Sequence, residues 1–189
     1  MTQQHKNRLI LVGLFLMFFL PVLLAIVLNS RWVQFSPAQT RNYGQLIQPV
    51  ISLGAPVAGV SDETLRSRWW LIYADSAECL DVCQKQMQTL HQLHLSAGKE
   101  FNRVGLMFMP TAEGAIPALP ADVVAVQQPS PELLLAVKNA VGAAPTERWL
   151  LLMDPLGNIL MRYPPGFDAS RVRKDLSILL RWSPLGKDA

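Results

Sequence analysis

A chain of 189 residues, half of them apolar, has room for one membrane segment and one domain of roughly 140 residues, and excludes a second large domain. Its 17 basic and 14 acidic residues, net +3, are scattered without a Lys/Arg-rich block, which argues against nucleic acid as a partner. The two cysteines, Cys79 and Cys83, stand so close that a bond between them closes almost no loop and adds little stability. That is unlike a secreted disulfide scaffold and reads as chemistry.

Residues 1–8 form a polar tail. Leu9 to Leu28 is an unbroken run without a charge or an amide side chain. As a helix rising 1.5 Å per residue it is about 30 Å long, the hydrocarbon thickness of a bilayer, which predicts one transmembrane helix at 9–28. Pro21 is tolerated in such a helix. The run is longer than a signal-peptide core, no small-x-small site follows Leu28, and no cysteine follows for a lipid anchor, so the helix is expected to be retained. Lys6 and Arg8 nearly balance Arg31 and Arg41 across it. The amino terminus tips the orientation toward an N-inside tail, with Trp32 at the interface and everything after Asn29 outside the cytoplasm, in a bacterium the periplasm.

Residues 29–45, polar and containing Pro37 and Gly44, read as a stalk; 46–182 read as the domain and 183–189 as a tail. Leu46 to Leu65 is broken by Pro49, Gly54, Pro56 and Gly59 and is expected to be irregular or to form short strands. Trp69–Tyr73 suits a buried strand. After a loop carrying Cys79, Leu80 to about Ser96 is helical, with Cys83, Met87, Leu90 and His94 on one face and Gly98 as a stop. Arg103–Met109 and Val123–Val126 are strands around a Pro-rich loop. Ser130 and Pro131 start a helix that ends at Gly142. Trp149–Met153 and Asn158–Tyr163 pair through the turn Asp154-Pro155-Leu156-Gly157. Asp168 caps a last helix burying Val172, Leu176 and Leu179/Leu180.

This order, with two βαβ-type crossovers, a closing hairpin and a helix, predicts an α/β thioredoxin-like fold: a mixed sheet with helices on both faces, preceded by the transmembrane helix. The cysteines fall where the first strand of the unit hands over to its helix. Pro145-Thr146 directly precedes the third main strand. In thioredoxin-like proteins that proline is cis and packs beside the dithiol, so Ala144–Pro145 is expected to be cis, with Pro145 beside Cys79 and Cys83.

Residues i and i+4 on a helix share a face, so two thiols there can bond to each other or share a soft metal ion. A helix start favours the thiolate that either use requires, while Glu78 and Asp81 oppose it with local negative charge. His91 and His94 lie about 12 and 16 Å along the helix from Cys83, beyond reach of a shared metal; His91 is expected to be solvated and His94 a helix-end polar residue. Met107, Met109 and Met153 fall in strands and are expected to pack the core. There is no Gly-rich phosphate loop, no G-x-S-x-G and no His-rich cluster.

The segment WWLIYADSAECLDVCQKQMQTLHQL resembles the strand, loop, Cys-x-x-x-Cys and helix of the Sco-type copper chaperones, and WLLLMDPLGNILMRY resembles the strand-turn-strand that follows in that family. Asn42-Tyr43-Gly44, Leu46-Ile47 and the RYPPGFD…RKDL pattern are closer still to small single-span proteins associated with cytochrome c oxidase assembly in bacteria. The resemblance covers about residues 42–180. It implies an assembly factor that delivers copper to, or reduces thiols at, the copper site of oxidase subunit II, with that subunit or other oxidase assembly proteins as partners. Cys79 and Cys83 would be Cu(I) ligands or a redox pair. The chain departs from the family where a copper-binding histidine would precede Trp149: the stretch reads Pro145-Thr146-Glu147-Arg148. Bound Cu(I) would then take two thiolates and a ligand from elsewhere. The alternatives are a general periplasmic thiol-disulfide oxidoreductase and a non-catalytic docking module.

Overall fold

The structure is a computed structural model that describes residues 3–29, 42–54, 57, 60–75, 79–112, 116, 118–142 and 148–186. The chain divides into two compact units, Met1–Arg41 and Asn42–Ala189. The first contains helix α1 (Gln3–Asn29), 27 residues long with Pro21 inside it. Its side chains from Ile10 to Leu23 are all exposed, and the rings of Phe15 and Phe19 stack 4.0 Å apart. Among the described residues, no helix is long and apolar enough to cross a membrane. The backbone helix, however, extends past those described side chains at both ends and takes in the whole run from Leu9 to Leu28.

The second unit is built on a six-stranded sheet in the order β1-β6-β5-β2-β3-β4. The strands are β1 (Gln45–Ser52), β2 (Trp69–Asp75), β3 (Val104–Pro110), β4 (Val123–Ala125), β5 (Trp149–Met153) and β6 (Asn158–Tyr163). The helices are α2 (Asp62–Ser67), α3 (Asp81–Leu95), α4 (Pro131–Val141) and α5 (Ala169–Trp182), with a 3-10 turn at Gly98–Arg103. Every residue of β2, β3 and β5 is buried, as continuous apolar runs in a sheet covered on both faces require. Alternate side chains feed two clusters. Trp70, Ile72, Ala74, Met107 and Leu151 join Leu65 and α4 on one face. Trp69, Leu71, Tyr73, Leu106 and Leu150 join α3 and α5 on the other.

The mixed sheet agrees with the expected fold, with one correction. Only β2-α3-β3 is a βαβ unit between paired strands: β3 and β4 are also paired in parallel but have no helix between them among the described residues, and β5, which follows α4, lies antiparallel to β2. The segment expected to be irregular or to form short strands holds an eight-residue strand, β1, that starts one residue before it. Its Pro49 is compatible because β1 is an edge strand, where a missing N–H costs no ladder bond; the pairing with β6 shifts register between Leu46 and Ile51, and Gln48–Pro49 is cis. Gly105 is dictated by close approach, since a Cβ there would lie 2.6 Å from the ring of its cross-strand neighbour Trp70.

Candidate thiol site at the start of a helix

Strand β2 ends at Asp75, and α3 begins six residues on at Asp81. Cys79 and Cys83 are joined as a disulfide with their Cα atoms 5.0 Å apart. Cys79 has φ +22°, the one positive value at a non-glycine among the described residues, a region that side chains with a Cβ seldom adopt. The helix start is capped by Leu80, which offers no side-chain hydrogen bond. Both cysteines are buried, at 2% and 0% exposure, within the apolar cluster that contains Tyr73, Met87 and Phe108. Beside them Leu80 and Val82 face outward, 65% and 50% exposed. An apolar rim thus borders a sealed sulfur pair.

A polar group closes the end of β2. Arg148, immediately before β5, donates from Nε to Oδ2 of buried Asp75 at 3.1 Å. The Tyr73 hydroxyl approaches the same oxygen at 3.5 Å, and Thr111 donates from its backbone N–H and its hydroxyl to the Asp75 carbonyl. Burial, then the charge of Asp75, push the Tyr73 hydroxyl well above its ordinary pKa, with Arg148 opposing, so Tyr73 stays protonated. Of the stretch where the family resemblance would look for a histidine, the described residue is Arg148, and it is paired with a carboxylate.

Pro145, expected to be cis beside the dithiol, lies outside the described residues, as do Glu78, Thr146 and Glu147. Met107, Met109 and Met153 are fully buried on the face of the sheet opposite the cysteines. Met87, one helical turn beyond Cys83, lies in the same cluster as the sulfurs. Reduced, the pair would supply two thiolates with this thioether nearby, a soft donor set whose chemistry fits Cu(I). Among the described residues no group of three His, Cys, Asp or Glu side chains is placed to hold a metal.

The histidines do something else. Asp122 accepts from Nδ1 of His91 at 2.6 Å and of His94 at 2.8 Å. His94 is buried, stacks on Phe101, and has its Nε2 at 3.1 Å from the Phe101 carbonyl. His91 is thus hydrogen-bonded to Asp122 rather than simply solvated, and His94 is an interior polar residue. Burial raises the Asp122 pKa, but the hydrogen bonds from His94 and His91 outweigh it and hold the carboxyl below its ordinary value. The signal in the sequence was the i, i+3 histidine spacing; its acidic partner lies 28 residues beyond His94 and carries no local mark.

The motifs of the resemblance at the two ends of the domain meet at Asp175. This buried carboxylate accepts from the backbone N–H groups of Tyr43 and Gly44 at 2.9 and 2.8 Å and from the Tyr163 hydroxyl at 3.0 Å. A Cβ at Gly44 would lie 2.7 Å from the Tyr163 ring, which explains the glycine. Asn42-Tyr43-Gly44 and RKDL are halves of one structural clasp.

A family model described as transmembrane-like, thioredoxin-like, C-terminal domain matches residues 69–183. Among solved structures, yeast Sco1 with copper bound is 12% identical, with 80% of this chain and 100% of that chain covered at a TM-score of 0.53. Apo Sco1 from Thermus thermophilus is 18% identical, with 75% and 99% covered and a TM-score of 0.53. At these identities the likeness is one of fold. No curated protein matches the sequence.

Proposed function

Because the chain belongs to the transmembrane-like, thioredoxin-like C-terminal domain family, we propose that it is a membrane-anchored assembly factor for cytochrome c oxidase. It would act through Cys79 and Cys83 on the copper site of subunit II. The observation that carries this reading is the disulfide at the junction of β2 and α3, in a fold shared with Sco1 proteins, one of them solved with copper bound. The anchor would be the 27-residue α1, on the strength of its sequence run Leu9 to Leu28, about 30 Å long as a helix. The domain would lie on the periplasmic side of a bacterial inner membrane, a compartment in which disulfides persist.

As a reductant, the dithiol works in two displacements. One thiolate attacks a sulfur of the partner's disulfide, giving a mixed disulfide and releasing a partner thiolate; the second cysteine then attacks the first, closing Cys79–Cys83 and freeing the partner's other thiolate. Two electrons pass to the partner, and a reducing dithiol must restore the pair. As a metal carrier, the same two thiolates hold Cu(I) as cargo. Burial of both sulfurs supports a dedicated partner over a general oxidoreductase, because exchange requires the apolar rim at Leu80 and Val82 to be engaged first.

The test is anaerobic titration of the reduced full chain in detergent with Cu(I) against a competing chelator, for the wild type and the Cys79→Ser/Cys83→Ser double variant. One copper bound by the wild type and lost in the variant supports cargo. No thiol-dependent copper, with disulfide exchange toward an oxidised subunit II dithiol, supports reduction. Neither activity, with an intact assembly phenotype in the double variant, leaves docking as the function.

A further inference from the structure

Helix α5 is amphipathic to an unusual degree in its charge. Val172, Asp175, Leu176 and Leu180 are buried, and Asp175, its one acidic residue, is consumed by the clasp with Tyr43, Gly44 and Tyr163. The outer arc presents Arg171, Arg173, Lys174 and Arg181 with Ile178 and Trp182, the latter two 47% and 79% exposed. Arg171 has a long contact of 3.8 Å to Asp168; Arg173 and Arg181 pair with no carboxylate among the described residues. The cleft between this helix and the 3-10 turn, about 450 Å3, is lined by Lys99 as well as Arg173 and Arg181, and its carboxylate, Glu100, is paired with Arg103.

The tether reaches the domain at the same face. Tyr43 lies under the Arg171 guanidinium and the Lys174 ammonium, 5.3 and 5.6 Å from its ring centre. From Asn29 at the end of α1 to Asn42, the chain spans at most about 45 Å when fully extended, so this face is within reach of a surface that holds α1. A helix with cations on its outer arc and an exposed Trp is the composition that lies in a membrane interface.

We infer that the outer face of α5 docks on anionic phospholipid headgroups, with Trp182 and Ile178 seated at the interface and Arg173, Lys174 and Arg181 on lipid phosphates. This rests on the membrane anchor proposed above and is independent of the thiol chemistry. Docking would fix the orientation of the domain on its tether. Each cation near an anionic surface contributes up to about fivefold in binding, an attraction that salt screens within a Debye length.

The experiment places the full chain in nanodiscs of phosphatidylcholine, alone or mixed with phosphatidylglycerol, each with brominated acyl chains. The emission of Trp182 is taken as the difference between wild type and Trp182→Phe. The expected result is quenching in the anionic discs that is weak in the neutral ones, falls at high salt, and is lost in Arg173→Glu/Lys174→Glu/Arg181→Glu. The salt titration keeps the test open if that triple variant folds poorly. A chain that enters discs but shows no quenching, or equal quenching in both lipids, overturns the surface and turns the basic arc toward an acidic protein partner. A chain that never enters discs overturns the anchor, and the surface with it.

Discussion

At its two ends α3 is held in opposite ways. The C-terminal end is fixed by charge and hydrogen bonds: His91 and His94 grip Asp122. Just beyond it Arg103 spends its guanidinium on Glu100 and on the carbonyls of Leu180, Ser183, Leu185 and Gly186. The N-terminal end has no side-chain cap, and its cysteines are buried among apolar groups. Polar networks that satisfy many partners lock one conformation, whereas a sulfur pair in an apolar setting is held by packing and one exchangeable bond. The contrast separates the end of the helix that keeps the fold from the end that can change state.

The largest effect that would break this contrast is at Arg103. Arg103→Ala leaves the carbonyls that end α5 without their donor and is expected to cost about 3–5 kcal/mol, read from urea unfolding with the slope unchanged. Removing the disulfide by Cys79→Ala/Cys83→Ala should cost no more than about 2 kcal/mol, since so short a loop restricts the unfolded chain little, while abolishing thiol exchange. If the cysteine variant proved the more damaging to stability, the assignment of roles to the two ends would be reversed.

A pH series sharpens the comparison. The folded pKa of Asp122 is depressed, so its contribution is present above the unfolded carboxylate value, about 4, and is lost as pH falls through the lower folded value. The stability gap between wild type and Asp122→Asn should be full near neutral pH and shrink below about pH 4; a gap independent of pH there would mean that the ionised carboxylate of Asp122 is not what holds the two histidines. The smallest effect is at the rim. Leu80→Lys, at an exposed position, should change stability by no more than about 0.5 kcal/mol yet slow disulfide exchange with the proposed partner, measured by trapping the mixed disulfide.

The sheet and its helices were legible because the strands are continuous apolar runs and the helices carry their own start signals: Ser130 and Asp168 cap α4 and α5 through side-chain bonds, as their sequence positions suggest. Strand β1 could be expected only as one of two alternatives, because an edge strand needs no apolar run and Pro49 interrupts the pattern. The antiparallel course of β5 is invisible to local pattern, since a buried strand reads the same in either direction. Spacing identified the cysteine pair, but burial of both sulfurs is a property of the surrounding cluster. The partnerships of Asp122, Asp175 and Arg103 join residues far apart in the chain, which no window of sequence contains.

The clasp at Asp175 also bears on mechanics. A pull on the tether arrives at Tyr43 and Gly44, whose amides are held by Asp175 on α5 and, through Tyr163, by β6. Load would therefore pass into a helix and an inner strand before it reaches the ladder of edge strand β1, so the domain is fastened to its leash at a reinforced point rather than at its frayed hem.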